Sequence, residues 1–180
     1  MASLVDRMVR AAKLDINLYE EVEADKSAMR QALTVVVLSS VALGIATIRF
    51  IGISGLIFGT IYALISWFIW AYLIFLIGTK LLPEPQTKSD VGELLRTIGF
   101  SSSPGVLRIL CFIPFLDVII LFITGIWMLV AMIIAVRQAL DYKSTWRAIG
   151  VCVIAFFISL VISWFVFSVL GIPNPFAPGI

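Results

Sequence analysis

Three consecutive serines ahead of a proline are the residues of this sequence whose type and spacing could do chemistry. Ser101, Ser102 and Ser103 precede Pro104 inside an otherwise apolar stretch. A serine nucleophile needs a base, yet the sequence contains no histidine, and the lysines that come before this stretch lie in a polar connection. We therefore predict that the hydroxyls hydrogen-bond to carbonyls that Pro104 leaves free, or to a neighbouring helix. The alternative is that they line a groove for ions or lipids.

Two charges of opposite sign follow these serines. Arg108 and Asp117 are separated by a short apolar stretch that contains a proline. A charge at membrane depth is costly unless it has a partner. We therefore predict an ion pair between Arg108 and Asp117 at the outer membrane interface. A substrate or proton site is the alternative.

Acidic residues cluster ahead of the first long apolar stretch, at Glu20, Glu21, Glu23 and Asp25. Consecutive carboxylates on a helix point in different directions, so we predict a solvated face rather than a metal site. We also hypothesise that Glu21 or Glu23 pairs with a basic residue of a later connection and closes the cytoplasmic side. The basic candidates are Arg137, Lys143 and Arg147.

The composition defines the class of protein and excludes most cofactor sites. Of the 180 residues, 61% are apolar and 13% are charged, and the mean hydropathy is +1.10, which indicates an integral membrane protein. The absence of histidine excludes imidazole catalysis, His-ligated haem and the common zinc and copper sites. Cys111 and Cys152 lie in separate apolar stretches, so we predict two small buried residues. We expect no cofactor, no metal and no enzymatic activity.

The elements that must position these residues are membrane-spanning helices, each of about 20 mainly apolar residues. Dividing the chain at its charges predicts an all-α bundle of five, at about 31–48, 55–79, 94–110, 117–137 and 147–170. Pro104 predicts a kink or two half-helices in the third. We expect a transmembrane domain over 31–172, preceded by a cytoplasmic amphipathic segment at 1–30 and followed by a short non-cytoplasmic tail at 173–180.

The positive charges predict the orientation of this bundle. Eleven of the 13 Lys and Arg residues lie in the N-terminal segment and in the connections after the second and fourth spans. Because positive residues stay on the cytoplasmic side, we expect a multi-pass protein of the inner (plasma) membrane with a cytoplasmic N-terminus and an outside C-terminus. Residues 4–13 place apolar and charged side chains on opposite sides of a helix. This pattern predicts an interfacial helix whose basic face meets anionic head groups.

Three stretches together resemble the Yip1 domain family, and in particular its bacterial branch. They are residues 18–25, residues 99–105, and residues 136–148 between the last two spans. The resemblance implies a five-span membrane protein. Eukaryotic members interact with prenylated Rab GTPases in vesicle transport, but this chain lacks their Gly-Pro motif and their long cytosolic domain. The resemblance therefore implies fold and topology rather than a particular process.

These features predict a non-catalytic membrane scaffold or adaptor, or an accessory subunit of a larger membrane assembly. The expected partners are the lipid bilayer and other membrane proteins or a second copy of the chain, with no nucleic acid. The alternative function is a small transporter, channel or lipid-handling protein with a path along the broken third helix. Gly55 and Gly59 form a GxxxG pattern, for which we expect packing within the chain, with a dimer contact as the alternative.

Overall fold

Two short helices begin the fold of the protein, whose computed structural model describes residues 3–113 and 116–170. Helix α1 comprises Leu4–Ala12 and helix α2 comprises Ile16–Ala24. Side-chain oxygens of Ser3 and Asp15 accept hydrogen bonds from the first turns of α1 and α2, which is why each helix begins where it does. The predicted N-terminal helix is therefore present as α1, and α2 follows it after a turn at Leu14, where φ is 61°.

The long helix α3, Met29–Leu76, consists of two limbs joined by a sharp bend. Gly52 lies at the bend with φ 67° and ψ −173°, a conformation that side-chain-bearing residues rarely adopt. A Cβ added to Gly44 would press into Leu56, so the two limbs approach closely on either side of the bend. The limbs form a helical hairpin and supply the first two candidate membrane spans, Lys26–Ala46 and Gly52–Leu81.

The third predicted span is broken into two pieces, as Pro104 predicts, and neither piece is a candidate spanning helix, so the prediction of five spanning helices is wrong. Helix α4 covers Val91–Ser101, and a separate 3₁₀ segment covers Ser103–Phe112. Pro104 has no backbone N–H and its ring clashes with a continuing α-helix, so the helix ends and the tighter 3₁₀ pattern takes over. Within residues 3–113 and 116–170, four helices, not five, are long and apolar enough to cross a membrane.

Helices α5, Asp117–Ala139, and α6, Thr145–Leu170, complete the bundle. The connection between them is held against the end of α3, because Tyr142 Oη lies 2.9 Å from the carbonyl of Gly78 and 2.7 Å from that of Leu82. We call this the connection end of the bundle, and the opposite end, at Gly52 and Asp117, the bend end. The predicted tail at 173–180 lies outside the described residues.

Helix α4 and the 3₁₀ segment run alongside the first limb of α3. A Cβ on Gly99 would lie 2.8 Å from the Cβ of Ala32, and one on Gly105 would collide with the hydroxyl of Ser39. Both contacts depend on the missing side chain, which lets the two backbones approach. The prediction of an all-α membrane protein is confirmed, and both Cys111 and Cys152 are buried as predicted.

Candidate functional site

A cavity of about 570 Å³ lies between the two limbs of α3, the broken segment formed by α4 and the 3₁₀ turn, and α5. Its walls are mainly aliphatic, aromatic and thioether side chains, interrupted by a few hydroxyls and one arginine. Pockets of this size and character are typical of sites that hold a small molecule. Two of the residues that sequence analysis singled out, Ser102 and Arg108, are among those that line it.

Two tryptophans connect the cavity walls nearest the connection end. Trp67 Nε1 donates to the carbonyl of Leu95 on α4 at 3.2 Å, and Trp70 Nε1 lies 3.1 Å from the sulfur of Met132 on α5. These two indole rings connect the second limb of α3 to α4 and to α5. Both tryptophans lie in the half of this limb that is nearer the connection end.

Arg108 lines the cavity towards the bend end. Its Nε donates to Thr124 Oγ1 at 3.3 Å, two helical turns into α5. The predicted ion pair with Asp117 does not form, because the Arg108 side chain extends along α5 into the bundle, whereas Asp117 begins that helix and accepts from the amide of Val118. Among the residues that the structure describes, no carboxylate forms a salt bridge with Arg108.

The three serines bond mainly within their own segment. Ser101 Oγ donates to the carbonyl of Ile98 and Ser103 Oγ to that of Phe100, each at 2.7 Å. The Phe100 carbonyl is the acceptor that an amide at position 104 would have served in a continuous α-helix. Ser102 lines the cavity, with a long 3.5 Å contact to Ile98 O. The serines therefore sit at the break in the helix, and one of them faces the cavity.

The GxxxG pair also faces the cavity. Gly55 and Gly59 both line it, and a Cβ added to Gly59 would meet no atom within 4 Å. Within the described residues, Gly59 therefore leaves space open rather than permitting a tight helix contact. The pattern contributes volume to the cavity.

The acidic cluster of α2 is turned towards α1. Arg7 bonds to Glu21, Asp25 and Gln31 at 2.8–2.9 Å, and Arg10 bonds to Glu21 at 2.6 Å. These arginines hold the pKa of Glu21 below its usual range, chiefly through the hydrogen bond from Arg10. The hypothesis that Glu21 pairs with the later basic connection is therefore wrong, because the nearer arginines of α1 occupy it.

The basic connection has partners of its own. Arg147 pairs with Glu84 at 3.4 Å and donates to the carbonyl of Pro83 at 2.9 Å. Glu84 also accepts from the amide of Lys143 at 3.0 Å, while Arg137 Nε donates to the carbonyl of Tyr142. The loop after α3 thus supplies the acidic partner that sequence reasoning assigned to α2. Glu84 stands alone between two prolines in the sequence, and this pattern does not predict an ion pair with a later connection.

Glu23 does not form the pair proposed for it either. It lines a second pocket, of about 530 Å³, at the connection end, together with Glu20, Glu93, Asp141 and Arg137. Burial, reinforced by the neighbouring carboxylates, raises the pKa of Glu23 to about 7. Among the described residues, no group of three acidic or thiol side chains has a metal-binding arrangement.

Comparison with known proteins gives a family for the chain. The model of the Yip1 domain matches residues 18–167, which is 150 of the 180 positions. No curated protein and no solved structure gives a significant match. The matched range begins in α2 and ends in α6, so it contains the broken segment, the cavity and both connections.

Proposed function

This chain belongs to the Yip1 domain family of membrane proteins, and from that premise we propose that it is a non-catalytic membrane protein that binds a lipid in the cavity beside its broken helix. The observation that carries the proposal is the cavity itself, about 570 Å³ of mainly apolar space within the bundle. Such a space in a membrane is filled most favourably by hydrocarbon.

The topology that we propose has five crossings with a cytoplasmic connection end, as expected for the inner (plasma) membrane. The broken segment runs beside the first limb of α3, and its 11 α-helical and 10 3₁₀ residues would extend about 36 Å. That length exceeds the hydrocarbon thickness of about 30 Å. If the broken segment crosses the membrane in two pieces, the connections rich in Lys and Arg all lie on the cytoplasmic side, as the charge distribution predicts.

A lipid site is favoured over a conducting path by the tryptophan contacts. The hydrogen bond from Trp67 to Leu95 and the contact of Trp70 with Met132 join the walls at one end of the cavity. A channel needs a polar route through the whole membrane. An acyl chain needs only an apolar pocket that opens to the bilayer and ends within the bundle. The arrangement supports storage, presentation or binding of a lipid.

Filling the cavity tests this proposal. Gly59→Phe would place a phenyl ring where a Cβ meets nothing within 4 Å. We expect the wild-type protein, purified in mild detergent, to carry lipid in stoichiometric amount by native mass spectrometry, and Gly59→Phe to lose it. Gly125→Phe is the matched control, since Gly125 also has open space but does not line the cavity. Equal lipid retention by the Gly59 and Gly125 variants would contradict the proposal.

A scaffold or adaptor function is the second candidate, and one exposed side chain favours it. Trp146, at the connection end, is 82% exposed between the basic residues Lys143 and Arg147. Exposed tryptophans are enriched among the residues that dominate protein interfaces. Co-purification of a stoichiometric protein partner that is lost with Trp146→Ala, but kept with Trp164→Ala on the lipid-facing part of α6, would support this function.

We further propose that α1 lies in the membrane interface. Val5 and Val9 are 69% and 47% exposed, while Arg7 and Arg10 are paired with carboxylates of the protein. The apolar side chains therefore carry most of this association, and Lys13, the exposed residue that directly follows α1, is available to anionic head groups.

A further inference from the structure

The guanidinium of Arg108 is incompletely satisfied by the protein. It carries five N–H donors, and Nε donates the one hydrogen bond that it forms within the described residues, a long one of 3.3 Å to Thr124 Oγ1. Thr124 lies seven residues into α5, which corresponds to about 10 Å from the bend end of that helix. In the proposed topology the charge therefore lies below the membrane surface, and most of its donors have no acceptor among the described residues.

A cation at this depth requires an anion. Moving an isolated charge out of water is costly, and arginines within membrane domains are found paired or directed to polar groups. Within the described residues, no carboxylate forms a salt bridge with Arg108, and no Asp or Glu lines the cavity. A bilayer contains such an anion in the phosphate of its lipids, and the forked donors of arginine bind phosphate strongly.

The side chains that line the cavity match a phospholipid in their chemistry, with polar groups for a head group and apolar groups for an acyl chain. Arg108 lines the cavity towards the bend end, and Ser39 and Ser40 add hydroxyls to its lining, whereas Trp70 and Met132 contribute apolar surface nearer the connection end. A lipid with its phosphate on Arg108 would direct an acyl chain towards the tryptophans. A free phosphate ion would satisfy the charge but would leave the apolar volume unfilled.

We propose that Arg108 binds the phosphate of an anionic phospholipid whose acyl chain occupies the cavity between the limbs of α3. This assignment rests on the proposed lipid-binding function and adds the chemical class of the lipid. An anionic lipid is favoured over a zwitterionic one because no Asp or Glu is among the residues that line the cavity and could receive a head-group ammonium.

The test compares variants that differ in charge and donor geometry. Arg108→Gln removes the charge at similar size, Arg108→Lys keeps the charge without the planar fork, and Arg30→Gln is the control at an exposed arginine. The full chain would be delipidated in detergent and titrated with phosphatidylglycerol, phosphatidylcholine and diacylglycerol, with bound lipid counted by native mass spectrometry.

We expect wild type and Arg30→Gln to bind phosphatidylglycerol at least tenfold more tightly than diacylglycerol. Arg108→Gln should lose that preference while still binding diacylglycerol, and Arg108→Lys should be intermediate. If Arg108→Gln keeps the wild-type head-group preference, the phosphate assignment is overturned while the cavity function stands. If millimolar inorganic phosphate displaces phosphatidylglycerol, a free ion is the ligand and the lipid assignment is overturned. If wild type binds none of the three lipids, both proposals fail together.

Discussion

Arg96 on α4 donates from Nε to the carbonyl oxygen of Val22 over 2.8 Å, so that a buried guanidinium closes the C-terminal end of α2. A second donor of the same side chain bonds to the carbonyl of Glu23. The last carbonyls of a helix have no partner within it, and a cation there also interacts favourably with the helix dipole. Only 5% of Arg96 is exposed. The contact fixes α2 to the transmembrane bundle.

Substitution of this arginine should loosen α2. Arg96→Met keeps the length of the side chain but leaves two carbonyls without their donor, at a cost of about 2 kcal/mol. We expect a lower free energy of unfolding, measured by denaturant titration in detergent. Arg30→Met is the control because Arg30 is exposed at the start of α3. An equal loss in both variants would mean that the buried contact does not stabilise the fold.

The Arg7 contacts should hold α1 in place. Its side chain is 5% exposed and bonds to Glu21, Asp25 and Gln31, so truncation leaves Asp25 without its arginine and Glu21 with Arg10 alone. We predict that Arg7→Ala makes the connection between α1 and α2 susceptible to limited proteolysis, while the transmembrane bundle stays intact. Asp6→Ala, on the exposed side of α1, should leave the cleavage rate near that of wild type. Protection of the Arg7 variant at the wild-type level is the contrary result.

Glu23 should make stability depend on pH. Burial raises its pKa from an ordinary value of 4.5 to about 7, so the folded state binds its proton more tightly than the unfolded state does. Stability is therefore lost as pH rises from about 4.5 through 7. We expect Glu23→Gln to melt at a higher temperature than wild type at pH 8 and at the same temperature at pH 4. A melting difference that does not vary with pH would show that Glu23 titrates normally.

Close approach of α4 to the first limb of α3 should be sensitive to one methyl group. A Cβ at Gly99 would lie 2.8 Å from the Cβ of Ala32 and 3.3 Å from its backbone. Gly99→Ala should therefore force the helices apart and cost about 1–3 kcal/mol. Gly125→Ala, where a Cβ meets nothing within 4 Å, should be neutral or slightly stabilising. Thermal melting of the two variants side by side distinguishes packing from helix propensity, since only propensity predicts stabilisation at Gly99.

Local features of the sequence account for the class of protein and for most of its elements. Long uncharged stretches of about 20 residues predict spans, because each helix in a bilayer must satisfy its own backbone and present apolar side chains. Four of the five predicted spans are present as candidate spanning helices, and the family resemblance is confirmed by the Yip1 match. Pro104 marked the break in the third segment because its missing N–H acts locally.

The partners of the charged residues were decided by the tertiary structure alone. Glu21 is within reach of several arginines along the sequence, and it binds Arg7 and Arg10 because α1 folds back onto α2. Arg108 lies nine positions from Asp117, yet its Nε donates to Thr124 Oγ1, two helical turns further along α5. The cavity likewise has no sequence signature. Residue type determines what a side chain can bind, whereas helix packing determines which groups meet, because side chains far apart in the chain become neighbours only when particular helix faces pack together.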